Sequence, residues 1–171
     1  MAIHPDAPSM LIESEIDADA LLSSALELCA KQLGVDEPEL LEQLRNDSPK
    51  AHSVLRYALA KEVAEYLRGL RCGIRGVFLY GSTMTDTAGL ASDIDLIVLV
   101  EMKLYQAQTL LQHLDLALVT SYRALVGREH LFSFLDVHLV DVKEERENHG
   151  YAALLHSPHT RPVSLWQYIS T

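Results

Sequence analysis

Two aspartates, Asp93 and Asp95, sit in the run Asp93-Ile94-Asp95-Leu96-Ile97-Val98-Leu99-Val100, which is otherwise wholly apolar. Ionised carboxylates are costly in such surroundings unless they are paired or bind a metal. The run is β-branched and reads as a strand, so residues two apart project from one face. Their like charges repel and raise one pKa unless a cation sits between them. A third acid, Asp136, falls near the centre of a later alternating segment, Phe132 to Val142. If the two strands are neighbours, three carboxylates converge. A divalent cation of the magnesium type is the simplest compensation, because it takes oxygen ligands and completes its shell with water and substrate phosphates. Asp141 is the rival third acid, but strand alternation puts it on the opposite face, near the strand end.

Gly81-Ser82 directly follows the apolar run Val77-Phe78-Leu79-Tyr80. Glycine permits a tight turn and close backbone approach to a ligand. If Ser82 opens a short helix, its N–H groups and hydroxyl aim at an anion such as a phosphate. Acids that hold metal beside an anion cradle suggest a nucleoside triphosphate with its magnesium. His138 shares the predicted face of Asp136, where it either touches substrate or is a hydrogen-bonded bystander. His149, His156 and His159 have no established ligand spacing and read as solvent-exposed loop residues.

The elements that must carry these residues can be read from periodicity. Leu22, Ala25, Leu26, Cys29 and Leu33 have helical spacing from Asp17 onward, and Gly34 is placed to end that helix. Asp36-Glu37-Pro38 looks like a cap with an early-helix proline, and Ser48-Pro49 repeats the signal for a longer helix with Gly73 as its stop. Strands are expected at 77–80, 93–100 and 132–142, with a helix over 104–126 and a last helix over 144–155. Lys143, Glu144, Glu145, Arg146 and Glu147 read as a solvated helix face, and Trp166 and Tyr168 as docking the C-terminal segment onto the core or a partner. The expected fold class is α/β (α+β), a small mixed sheet covered by helices. Residues 1–50 are expected to form an acidic helical extension and residues 51–171 the main domain, with residues 1 to 15 a mobile lead-in.

Leu79-Tyr80-Gly81-Ser82, a gap of ten residues to Asp93, the Asp93-Ile94-Asp95 pair and the later Leu135-Asp136-Val137 together resemble the nucleotidyltransferase superfamily of the DNA polymerase beta type. The likeness is greatest to the minimal nucleotidyltransferases and covers about residues 65 to 142. It implies metal-dependent transfer of a nucleoside monophosphate, usually AMP from ATP, to an acceptor hydroxyl. By position, Gly81 and Ser82 would hold the β- and γ-phosphates. Asp93 and Asp95 would bind magnesium, and Asp136 would complete a second metal site and help deprotonate the acceptor. Two Mg²⁺ ions, with ATP or another triphosphate as donor, are the implied cofactors. The acceptor is a protein side chain, as on a HEPN-type helical partner, or a small hydroxylated molecule. One departure stands out: Met84-Thr85-Asp86 occupies the place where many members carry Ala-Arg-Gly, so an acid replaces a permissive glycine near the triphosphate.

Composition bounds these readings. The chain has 171 residues, 49% hydrophobic and 22% charged, which suits one soluble domain with a helical appendage. Fourteen Lys plus Arg against twenty-four Asp plus Glu give a net charge of −10, which disfavours extended nucleic acid as a partner. Residues 1–50 hold eleven acids and three bases, residues 51–171 thirteen and eleven, so the acidity belongs mainly to the extension, the better surface for a basic partner. Cys29 and Cys72 are too few for a disulfide framework or a zinc cage and read as small buried or half-buried thiols. No run is long enough for a membrane span. Met1 to Ser14 carries acids where a secretion signal needs bases, so the expected location is cytoplasmic. A non-catalytic nucleotide-binding or antitoxin-like partner-binding module is the alternative, and an interaction domain with purely structural acids is a third reading.

Overall fold

The computed structural model describes residues 16–70 and 73–169. The expected lead-in at residues 1 to 15 and the thiol of Cys72 lie outside them. Helix α1 (Ala18–Leu33) begins where the Asp17 carboxylate accepts from the Ala20 amide at 2.9 Å and ends on Gly34 in the left-handed conformation. Helix α2 (Glu37–Arg45) is capped by Asp36 and has its proline in the first turn; helix α3 (Pro49–Gly69) is capped by Ser48. The expected stop of α3 at Gly73 is a correction. The helix ends at Gly69, and Gly73, at φ +73°, instead turns the chain into the first strand.

Strands β1 (Ile74–Tyr80), β2 (Ile94–Val100), β3 (Leu135–Asp141) and β4 (Val163–Gln167) form one sheet in the order β3-β2-β1-β4. The β2–β3 pair is parallel, and helix α4 (Tyr105–Val126) makes the crossover such a pair needs. The pairs β1–β2 and β1–β4 are antiparallel, so the sheet is mixed, and the α/β fold read from the sequence is the one observed.

One sheet face carries Val77, Leu79, Leu96 and Val98 into a core shared with Leu22 and Leu26 of α1, Leu40 and Leu44 of α2, Leu55 and Leu59 of α3, and Leu114 and Leu118 of α4. On the other face Phe78, Ile97, Leu99 and Val140 pack around Ala152. This second cover is split, which corrects the single helix expected over 144–155. Helix α5 (Val142–Glu147) stops at Asn148 in the left-handed conformation, and α6 (Ala152–Leu155) restarts after Gly150 at φ +58°. Strand β4 was not expected. Trp166 docks as a strand residue opposite Val77, and its indole N–H donates to the Ala64 carbonyl at 2.9 Å. Cys29 is buried, and burial pushes its thiol up to about 12, as suits an inert core residue.

A polar knot interrupts the helical layer. His52 and Arg56, one turn apart on α3, are both fully buried. The His52 Nδ1 atom lies 3.0 Å from an Arg56 guanidinium nitrogen and 3.2 Å from the Tyr122 hydroxyl, while Nε2 is 3.4 Å from an Asp47 oxygen. Burial and the Arg56 charge hold the imidazole down at about 4, against a smaller opposing pull from Asp47. Below its ordinary value of about 6.5 the unfolded chain takes a proton that the folded one refuses until about pH 4. Stability is therefore expected to fall by roughly 3 kcal/mol as pH drops through that window. His52→Gln should flatten this part of a denaturation-versus-pH curve. An unchanged slope in the variant would remove His52 as its source.

Candidate active site

Strand β1 delivers Tyr80 and then Gly81, whose backbone lies at φ +82°, ψ −157°, a region closed to other residues without strain. The chain continues into a short 3₁₀ turn, Ser82–Thr85, the helix start expected at Ser82. An irregular segment returns to Asp93, just ahead of β2. Cross-strand register then sets Tyr80 opposite Asp95 and Asp95 opposite Asp136, one row across three strands. The alternation that buries Ile97 and Leu99 beneath α6 leaves Asp95 on that same face at the sheet's open end. A Cβ on Gly81 would stand 2.0 Å from Asp95 Oδ2. The glycine is thus required both by its backbone angles and by the carboxylate pressed against it.

The acids feel one another. Burial, followed by the charge of Asp136, raises the carboxyls of both Asp93 and Asp95 above the usual range; Asp115 adds to the effect at Asp93, and Asp93 to that at Asp95. Tyr80 is pushed up to about 12 by burial and by the charges of Asp95 and Asp136. Among the described residues, no three His, Cys, Asp or Glu side chains already meet as a metal-binding group. Asp93, Asp95 and Asp136 nevertheless offer an all-oxygen donor set whose mutual repulsion a hard divalent cation relieves. The residues present therefore fit such an ion.

Beyond Asp136 the row opens into a hollow of about 630 Å³ between β3 and the first turns of α4, bordered by Asp136, His138, Tyr151, Tyr105 and Gln108. Its volume is in the range of small-molecule sites. His138 Nε2 lies 3.3 Å from Asp136 Oδ2, and its ring stacks on Tyr151 with centroids 3.6 Å apart. A protein-family model described as the nucleotidyltransferase domain matches residues 57–157, more than half of the chain. The chain belongs to the nucleotidyltransferase family. Comparison with curated proteins and with solved structures gave no significant match.

Within this nucleotidyltransferase domain, Asp141 serves another purpose. It caps α5, accepting from the Glu144 amide at 2.8 Å, while Glu144 accepts from the Asp141 amide in return. Glu144, read from sequence as part of a solvated face, is half-buried and pairs with Lys103 at 2.7 Å. His149, His156 and His159 are exposed, as expected. Asp86 takes the left-handed conformation, φ +54°, that a glycine would take without strain, and it borders a separate hollow of about 200 Å³ with Tyr57 and Thr83. None of the three acids lines that hollow. Sequence reading missed Asp115. From α4 its Oδ1 accepts from the Phe134 and Leu135 amides at 2.7 and 2.8 Å, fixing the start of β3 and hence Asp136. No local signal marks it, because its partners lie a whole crossover away. Among the described residues, no helix is long and apolar enough to cross a membrane.

Proposed function

We propose that this nucleotidyltransferase moves a nucleoside monophosphate, AMP from ATP, to an acceptor hydroxyl, with two magnesium ions held by Asp93, Asp95 and Asp136. The observation that carries the reading is the cross-strand row Tyr80–Asp95–Asp136 ending against a glycine with no room for a Cβ. Gly81 and Ser82 would bind the β- and γ-phosphates. Bound divalent cations would neutralise the carboxylates and stabilise the charge of in-line displacement at the α-phosphorus. Asp136 borders the larger hollow, so an acceptor seated there would present its hydroxyl to this carboxylate, which takes the proton as pyrophosphate departs. His138 steadies that carboxylate from 3.3 Å. The rest of the protein's contribution is positioning. The acceptor is a protein side chain, such as one on a HEPN-type partner, or a small hydroxylated molecule. The acidic segment of residues 1–50 is the surface for a basic partner.

The test is calorimetric titration of ATP with and without magnesium into wild type and Asp93→Ala/Asp95→Ala, alongside transfer of label from α-labelled ATP. Magnesium-dependent binding is expected in wild type alone. Its absence from wild type would sink the catalytic reading. Binding without pyrophosphate release across a broad acceptor panel would favour a partner-binding module.

A further inference from the structure

Arg56 is a charge in the wrong place for a purely structural residue. It is fully buried, and among the described residues no carboxylate lies within ion-pairing distance of it. Burying a guanidinium without a counter-charge is costly unless its donors are satisfied. What the guanidinium does have is carbonyls. Nε donates to Ser92 O at 2.8 Å, and the two terminal nitrogens donate to Leu90 O at 2.9 Å and His52 O at 3.2 Å. One turn earlier on α3, the Ser53 hydroxyl accepts from the Ala88 amide at 3.1 Å. The irregular approach to Asp93 is thus gripped from one helix face at residues 88, 90 and 92. The same guanidinium lies 5.0 Å from the Phe134 ring centroid and 5.7 Å from that of Tyr122. Phe134 O in turn accepts from the Ile94 amide at 2.8 Å. Arg56 therefore touches the entry to both acid-bearing strands, one residue before Asp93 and two before Asp136.

We propose that Arg56 is a positioning residue for nucleotidyl transfer: it fixes the backbone leading into Asp93 and Asp136, and so sets the spacing of the carboxylates. The assignment rests on the function proposed above. His52 and Tyr122 are its supports, holding the guanidinium from behind so that its fork meets Ser92 and Leu90. A lysine keeps the charge and most of the length but has no planar fork to span both carbonyls, whereas a methionine keeps the volume and loses every donor.

Arg56→Lys and Arg56→Met are to be compared with wild type for melting temperature, Mn²⁺ affinity by calorimetry, and kcat and KM for transfer from ATP. In whichever variant stays folded, Mn²⁺ affinity should fall about tenfold to a hundredfold, as on loss of a residue that orients metal ligands. The expected loss in kcat is about a hundredfold, with KM for ATP changed less than about threefold because no phosphate contact is touched. A folded variant that keeps wild-type Mn²⁺ affinity and kcat overturns the positioning role and leaves the proposed function standing. Wild type that neither binds Mn²⁺ nor transfers nucleotide overturns both together.

Discussion

Asp95→Asn is expected to abolish nucleotidyl transfer while making the metal-free protein harder to melt. Burial and the charges of Asp136 and Asp93 raise the Asp95 carboxyl in the folded state. A group raised on folding contributes stability below its unfolded value and loses that contribution as pH climbs through the folded one. Above its folded value the ionised Asp95 is therefore a liability, which a permanently neutral asparagine removes. A rise in Tm on the order of 2–4 °C, about 1 kcal/mol for a domain of this size, is the expected scale. On the proposed function, in which Asp95 is a metal ligand, its loss should remove several kcal/mol of transition-state stabilisation, about a thousandfold or more in rate. Divalent metal should then reverse the order, stabilising wild type and leaving the variant unmoved. Scanning calorimetry with and without magnesium checks this. A variant that melts below wild type in chelator, or still transfers nucleotide, would show that Asp95 is not held against a repulsive field.

Gly81→Ala should be nearly as damaging for a different reason. The backbone angles alone cost about 1–3 kcal/mol for a residue with a Cβ, and the new methyl would lie 2.0 Å from Asp95 Oδ2. The carboxylate must swing away, and if Asp95 acts as proposed, its displacement by about 1 Å costs on the order of a hundredfold. Gly89, in the same irregular segment, has nothing within 4 Å of a built Cβ, so Gly89→Ala is the matched control and should be close to silent. Repeating Gly81→Ala in an Asp95→Ala background separates the two causes, because only the clash disappears with the carboxylate. If the stability cost is the same in both backgrounds, the contact with Asp95 does not matter and only the backbone strain remains.

Asp93 and Asp95 stand out because charge in an apolar β-branched run is conspicuous, and strand alternation, with its place near the strand end, set Asp141 apart from Asp136. The helix starts were legible from Asp17, Asp36 and Ser48, which act within one turn of chain. What escaped depends on distance. Arg56, beside Leu55 on an otherwise amphipathic helix, looks like any surface base; only the carbonyls of residues 90 and 92, brought over by tertiary packing, give it a role. Asp115 escaped for the same reason. Strand β4 is five residues long and alternates too briefly to announce itself, and Asn148 broke the last helix by adopting a left-handed conformation that composition does not foretell.

Strand β4 also bears on how the molecule comes into being. It lies along the side of β1 opposite β2, and β1 is the strand that runs into Gly81. The ribosome delivers Gly81 and all three acids well before residues 163–167. Until those arrive, β1 is a bare edge of Val77, Phe78 and Leu79, open to strand pairing with any neighbouring nascent chain. The turn that needs the most exact backbone is therefore built next to the last edge to be closed. The sheet is most exposed to misassembly in the interval after Gly81 and the three acids are made and before residues 163–167 complete it.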